Sequence, residues 1–185
     1  FIPLVHEACY VMERQKIQKT EIDSAVKFKL GFPMGIFELA DFTGIDVIHK
    51  ATIEMHLRDK KVILPHAKIE QLFNEKKLGK KNGEGFYKYS DEKYERIELT
   101  EELAELCIPT QIVANILNNA AWLVTNNASD INEIEKAASL GLGLKKPLFE
   151  TANEIGMQKI VDELKKLSKQ FGAFYEPDPL LVSMC

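Results

Sequence analysis

One sequence feature constrains the fold of this chain more than any average: it contains the same stretch twice. Residues 22–48 read IDSAVKFKLGFPMGIFELADFTGIDVI and residues 134–160 read IEKAASLGLGLKKPLFETANEIGMQKI. At a constant offset of 112, nine of these 27 positions are identical: Ile22, Ala25, Leu30, Gly31, Phe37, Glu38, Ala40, Gly44 and Ile48, with their partners from Ile134 to Ile160. Background usage would give one or two by chance, so we read a duplication. The preceding segments align as well, Ala8 with Ala120 and Tyr10 with Trp122. After a deletion, Phe86-Tyr87 matches Phe174-Tyr175. The expected domains are residues 1–99 and a diverged copy at 100–185. Each is small for a core of its own, so the copies are expected to pack as a pseudo-dimer.

The spacing within each copy is helical. Leu4, Val5, Ala8, Cys9, Val11 and Met12 form one wide apolar stripe. Thr20 with Asp23, and Asn132 with Glu135, resemble capping boxes that start the next helices. Helices are expected from Gly35, over 47–57, from Pro65 to Asn74, from Thr100, over 110–126, and over 133–140, 147–155 and 157–171. Glycines and prolines punctuate them. Phe86-Tyr87-Lys88-Tyr89 alternates like a short strand, for which Tyr94–Leu99 is the expected hairpin partner. The tail around Pro177 and Pro179 is expected to be extended. The fold class is all-α, with at most a small β-hairpin.

Composition narrows the function. The formal charge of -4 lacks the basic face of a nucleic-acid binder. No apolar run reaches the roughly 18 residues of a membrane span. Three widely spaced cysteines, Cys9, Cys107 and Cys185, suggest reduced thiols and a cytoplasmic setting. The opening Phe1-Ile2-Pro3, without an initiator Met, reads as entry into a longer polypeptide.

Four stretches, FIPLVHEACYVME, GFPMGIFELADFTGIDV, GKKNGEGFYKY and FYEPDPLL, resemble the C-terminal helical part of the L-3-hydroxyacyl-CoA dehydrogenases. The tandem copy resembles the long or multifunctional members. The resemblance implies oxidation of a 3-hydroxyacyl-CoA in fatty-acid β-oxidation or a related pathway. It implies NAD bound by an N-terminal Rossmann domain, and an acyl-CoA substrate. An enoyl-CoA hydratase domain on the same polypeptide and a homodimer are further partners it suggests. The family's catalytic His–Glu pair, serine and asparagine belong to segments before Phe1, so no catalytic residue and no NAD contact is carried over. These 185 residues alone are expected to be inactive.

The loop Phe32-Pro33-Met34-Gly35 resembles the family's loop facing the acyl end of the substrate, and it is the expected substrate-binding site. Apolar, shape-defining residues suit an acyl chain, which offers no hydrogen bonds. Ile36 stands where the family usually has Pro. The second copy, Leu144-Lys145-Lys146-Pro147, has lost the pattern and reads as structural.

Other candidates favour structure over chemistry. Glu38 and Asp41, repeated as Glu150 and Asn153, suit capping or ion pairing. His49 and His56 are seven apart rather than the four usual for a helical zinc pair. His6 and His66 are expected at the surface or its boundary. Lys80 and Lys81 could meet CoA phosphates, but interspersed acids favour solvated faces. Phe86, Tyr87, Tyr89, Phe174 and Tyr175 read as packing aromatics, and Cys9 as an inert buried thiol. A free-standing, non-catalytic dimerisation module is the alternative function. A dehydrogenase of smaller hydroxy acids is a third, against which the Pro-Met-Gly loop and the Pro-Asp-Pro tail weigh.

Overall fold

A computed structural model describes residues 1–62, 64–89 and 98–185. It separates into two compact units: Phe1–Lys29 with Met34–Cys107, and Leu30–Pro33 with Ile108–Cys185. The expected hairpin strand at Tyr94–Leu99 lies largely outside the described residues. Among those described, the elements are helices, short turns and isolated bridges. No described helix is long and apolar enough to cross a membrane.

The first unit is built on α1 (Ile2–Gln15), α2 (Lys19–Phe28), α3 (Ile36–Thr43), α4 (Ile45–Arg58), α5 (Ala67–Asn74) and α6 (Glu101–Glu105). The stripe Leu4, Val5, Ala8, Cys9 and Val11 is buried as its spacing requires. Lys16, left-handed at φ 56°, ends α1, and the Ile17 N–H reaches back to the Met12 carbonyl to close a Schellman turn. Phe37, Ile45, Ile48 and Ile69 complete the core.

The second unit repeats the plan with α7 (Thr110–Thr125), α8 (Ile131–Leu142), α9 (Leu148–Ile155), α10 (Met157–Phe171) and α11 (Pro179–Ser183). Ile160, Val161, Leu164 and Leu167 form the buried stripe of α10. The shared glycines explain the tightest joint. Gly44 and Gly156, at φ +103° and +100°, each end one helix and begin the next without a linker. Their N–H groups bond the Ala40 and Ala152 carbonyls at 2.9 Å. Only glycine holds such angles cheaply.

Hydrogen bonds carry the offset of 112 to the end of the chain. In the first unit the His66 N–H donates to His6 Nδ1, and the His66 side chain accepts from the Lys68 N–H at the start of α5. In the second unit the Asp178 N–H donates to Asn118 Oδ1, and the Asp178 carboxylate accepts from the Leu180 N–H at the start of α11. Pro177-Asp178-Pro179 thus stands where Pro65-His66-Ala67 stands in the first unit. Two expectations are corrected. The tail is not extended throughout: Pro179 sits at the first helical position, where proline's missing N–H costs nothing. Phe174-Tyr175 precedes this helix, whereas Phe86-Tyr87 follows α5, so the two pairs are not counterparts.

Asp178 also accepts from the Thr125 hydroxyl, tying α11 to α7. Asp178→Ala is expected to lower stability by about 1–2 kcal/mol, the worth of a lost cap and tertiary hydrogen bond. Thermal melts of the variant and parent would show it.

Candidate functional site

The expected substrate loop divides between the two compact units. Phe32 is buried and Pro33 exposed, and both belong to the second unit. A Cβ on Gly143, which caps α8 in the left-handed region, would come within 2.9 Å of Pro33 Cγ. Met34, half-buried, and Gly35 belong to the first unit, where Gly35 is the N-cap of α3. The Gly35 N–H donates to Glu38 Oε2 at 2.8 Å, which is the capping role expected of Glu38.

The anchor beneath this loop is a residue whose role the sequence hid. Asp23, fully buried on α2, accepts from the Phe37 N–H at 2.8 Å and the Glu38 N–H at 3.2 Å. A third donor, the Tyr87 hydroxyl, reaches Asp23 Oδ2 at 2.9 Å. A Cβ on Gly35 would fall inside contact distance of the Asp23 side chain, so glycine is what admits this carboxylate. Burial pushes the Asp23 carboxyl up to about 7, partly offset by these donors. Its counterpart Glu135 accepts from the Leu148 and Phe149 N–H groups at 2.8 and 2.9 Å. There Pro147 replaces the glycine, and the acid is one methylene longer.

Both expected capping boxes are therefore corrected. Helix α2 starts at Lys19, with Glu21 bonding the Gln18 N–H, and α8 is capped by Asp130 at the Glu133 N–H. Asp23 and Glu135 instead cap the following helix across the core. The legible signal was an acid one position after the shared isoleucine in both copies.

Asp41 anchors the glycine-rich stretch. It accepts from the Phe86 N–H at 2.8 Å, the Tyr87 N–H at 2.9 Å and the Tyr89 hydroxyl at 2.9 Å. Phe86 packs on Phe37 with ring centroids 4.3 Å apart. Burial raises the Asp41 carboxyl above its ordinary value. Gly83-Glu84-Gly85 lies in this tight turn against α3. It does not open a helix after a strand, so it lacks the form of a dinucleotide phosphate turn. The counterpart Asn153 is exposed. Glu38 and Asp41 anchor different segments, the start of α3 and the glycine-rich turn.

The histidines are not surface residues. His6, His49 and His66 are all buried, which corrects the expectation for His6 and His66. Thr52 donates to the Ile48 carbonyl and so accepts from His6 Nε2 at 2.7 Å. His6 Nδ1 accepts the His66 N–H, which fixes a neutral ring. Burial and the neighbouring His66 and His49 push His6 down to about 4. His66 faces Glu13 at 3.3 Å, and His49 faces Glu70 at 2.6 Å while stacking on Phe73. His56 bonds the Val62 carbonyl, away from His49's partners. No group of three or more His, Cys, Asp or Glu able to hold a metal occurs among the described residues.

Lys81 pairs with Asp46, and Lys80 lies over the Phe42 ring. Cys9 and Cys107 are buried free thiols, raised in pKa by desolvation, Cys107 to about 11. Such thiols are poor nucleophiles.

Comparison with known proteins gives this arrangement its family. Residues 1–89 and 108–185 match the family described as 3-hydroxyacyl-CoA dehydrogenase, C-terminal domain. The mitochondrial hydroxyacyl-coenzyme A dehydrogenase of Rattus norvegicus is 41% identical over 90 residues, 48% of this chain and 29% of that protein. The fatty acid oxidation complex subunit alpha of Idiomarina loihiensis is 28% identical over 177 residues, 84% of this chain and 24% of its own length. The chain thus spans less than a third of either relative. A crystal structure of 3-hydroxybutyryl-CoA dehydrogenase from Escherichia coli shares the fold, with a TM-score of 0.78 at 20% identity over 98% of this chain and 57% of that one. The match extends over both copies of the repeat, and the chain belongs to the 3-hydroxyacyl-CoA dehydrogenase family through its C-terminal domain.

Proposed function

We propose that this chain forms the C-terminal helical part of an NAD-dependent L-3-hydroxyacyl-CoA dehydrogenase, oxidising 3-hydroxyacyl-CoA to 3-ketoacyl-CoA. The observation that carries the reading is the family match over both units. The nicotinamide cofactor supplies hydride acceptance when bound to the partner Rossmann domain. The residues here do not form its site, and none is assigned to it. Their part is shape: Phe32, Pro33, Met34 and Gly35 wall the acyl end of the substrate. Asp23 and Glu38 support this role by holding the loop's last residues at the start of α3. A rigid apolar wall excludes water and orients a chain that has no polar handle.

In this reading residues 1–99 carry the substrate loop, and residues 100–185 are the diverged copy that serves packing. The complete protein includes the Rossmann domain, with a hydratase domain and a homodimer as further partners. The free cysteines support a reducing compartment, the cytoplasm in our reading.

Met34→Ala in the complete enzyme is expected to raise KM for a long-chain 3-hydroxyacyl-CoA about tenfold, with kcat nearly unchanged, as loss of uniform apolar binding does. An unchanged KM across acyl lengths would remove the loop from the site. The 185 residues alone are expected to show no NAD-dependent oxidation; measurable turnover would overturn the division of labour.

A further inference from the structure

The loop that faces substrate in our reading ends on a buried acid with no catalytic assignment. Asp23 lies on α2, 14 residues before the N–H of Phe37 that it accepts. It receives three donors on two oxygens: two backbone N–H groups at the start of α3 and the Tyr87 hydroxyl. Gly35, the last residue of the loop, lies so close to this carboxylate that no Cβ fits between them. The Asp23 carboxylate and the loop backbone are thus in direct contact at Gly35.

We propose that Asp23 is a positioning residue for substrate: its carboxylate fixes Gly35 and the start of α3, and so sets how tightly the Phe32–Gly35 loop meets the acyl group. The inference rests on the reading of that loop as the acyl wall.

The charged and titratable groups around Asp23 are Tyr87, Glu38, Lys19 and the Cys9 thiol of α1, with Asp41 reaching it only through the shared partner Tyr87. Lys19 lies 4.6 Å over the Tyr87 ring and bonds the Phe86 carbonyl. Glu38 adds like charge rather than compensation. Three donors hold an ionised carboxylate more strongly than a protonated carboxyl, because hydrogen bonds to a charged acceptor are the stronger ones. The loop is therefore held best in the ionised state. With the carboxyl pushed up to about 7, that state fills as pH rises through neutrality.

The experiment uses the complete enzyme that contains this chain, with a short and a long 3-hydroxyacyl-CoA. The ratio of their KM values cancels ionisations of the catalytic groups, which both substrates share. In the parent, the KM for the long substrate relative to the short is expected to fall as pH rises from about 6 to about 8. Asp23→Asn, which presents an amide N–H to these donors, is expected to raise that relative KM about tenfold, leave kcat nearly unchanged and flatten its pH dependence. Asp178→Ala, which leaves Asp23, its three donors and Gly35 untouched, is the control. It is expected to lower stability and leave the KM ratio unchanged.

If Met34→Ala moves KM while Asp23→Asn in folded enzyme does not, the inference fails and the acyl-wall reading stands. If neither variant moves KM, the acyl-wall reading fails and takes the inference with it. Should Asp23→Asn not fold, the parent's pH profile decides: a KM ratio flat from about pH 6 to about pH 8 overturns the proposal.

Discussion

Gly79→Ala is expected to unfold the glycine-rich turn of the first unit and to lower its stability by about 3 kcal/mol or more. Two effects add at this position. Gly79 has φ +97° and ψ -153°, a region that residues with a Cβ occupy only under strain. A Cβ there would also fall inside contact distance of the Asp41 backbone. The neighbouring Asp41 carboxylate holds the Phe86 and Tyr87 N–H groups, so displacing it would orphan buried donors. Gly83→Ala separates the two effects. Gly83 also has a positive φ, +84°, but a Cβ there would meet only the Tyr89 carbonyl at 3.5 Å. It should cost about 1–2 kcal/mol, the strain alone. Urea unfolding and amide exchange at Phe86 and Tyr87 would rank the variants. Equal losses for both would show that close packing on Asp41 contributes nothing.

A second large effect is a pair of opposed pH dependences in the same unit. His6 is lowered to about 4 from 6.5, so between these values the unfolded chain binds a proton that the native ring refuses. Its stabilising contribution is present above about 6.5 and is lost as pH falls through about 4. His66 acts in the same direction, with its lowered value. Asp23 is raised from 3.8 to about 7, so the native carboxyl holds a proton the unfolded one has released. Its contribution is present below about 3.8 and is lost as pH rises through about 7. Over the shared window from about pH 4 to 6.5 each amounts to roughly 3 kcal/mol, with opposite signs, so they largely offset there.

Replacing one group should uncover the other. In Asp23→Asn, stability relative to parent should fall as pH drops from about 6.5 to 4. In His6→Asn, which installs the residue found at the counterpart Asn118, it should fall as pH rises through the same window. Denaturant titrations at several pH values measure both slopes. Parallel slopes in the two variants would contradict the opposed roles of these buried groups.

The sequence was legible wherever a local rule sufficed. Glycine and proline placed most helix boundaries, and apolar spacing named the buried face of α1. The repeat revealed two copies of one plan. The constant offset could also have been followed to Pro177 and Pro179, where the prolines alone argued for extended chain.

The errors share one physical cause. Asp23 and Glu135 sit where a local cap would, yet bond helix starts 13 to 15 residues away. His6 and His66 look like surface residues because the partners that permit their burial, Thr52 and Glu13, are remote in sequence.

The sequence by itself determined an all-helical, duplicated chain and the family to which its motifs point, because helix periodicity and cap chemistry are local. Only the tertiary structure decided which acids cap which helices, why Gly35 and Gly79 must lack side chains, and why His6 stays neutral. Those outcomes depend on desolvation and on hydrogen-bond partners that come together only when the helices pack.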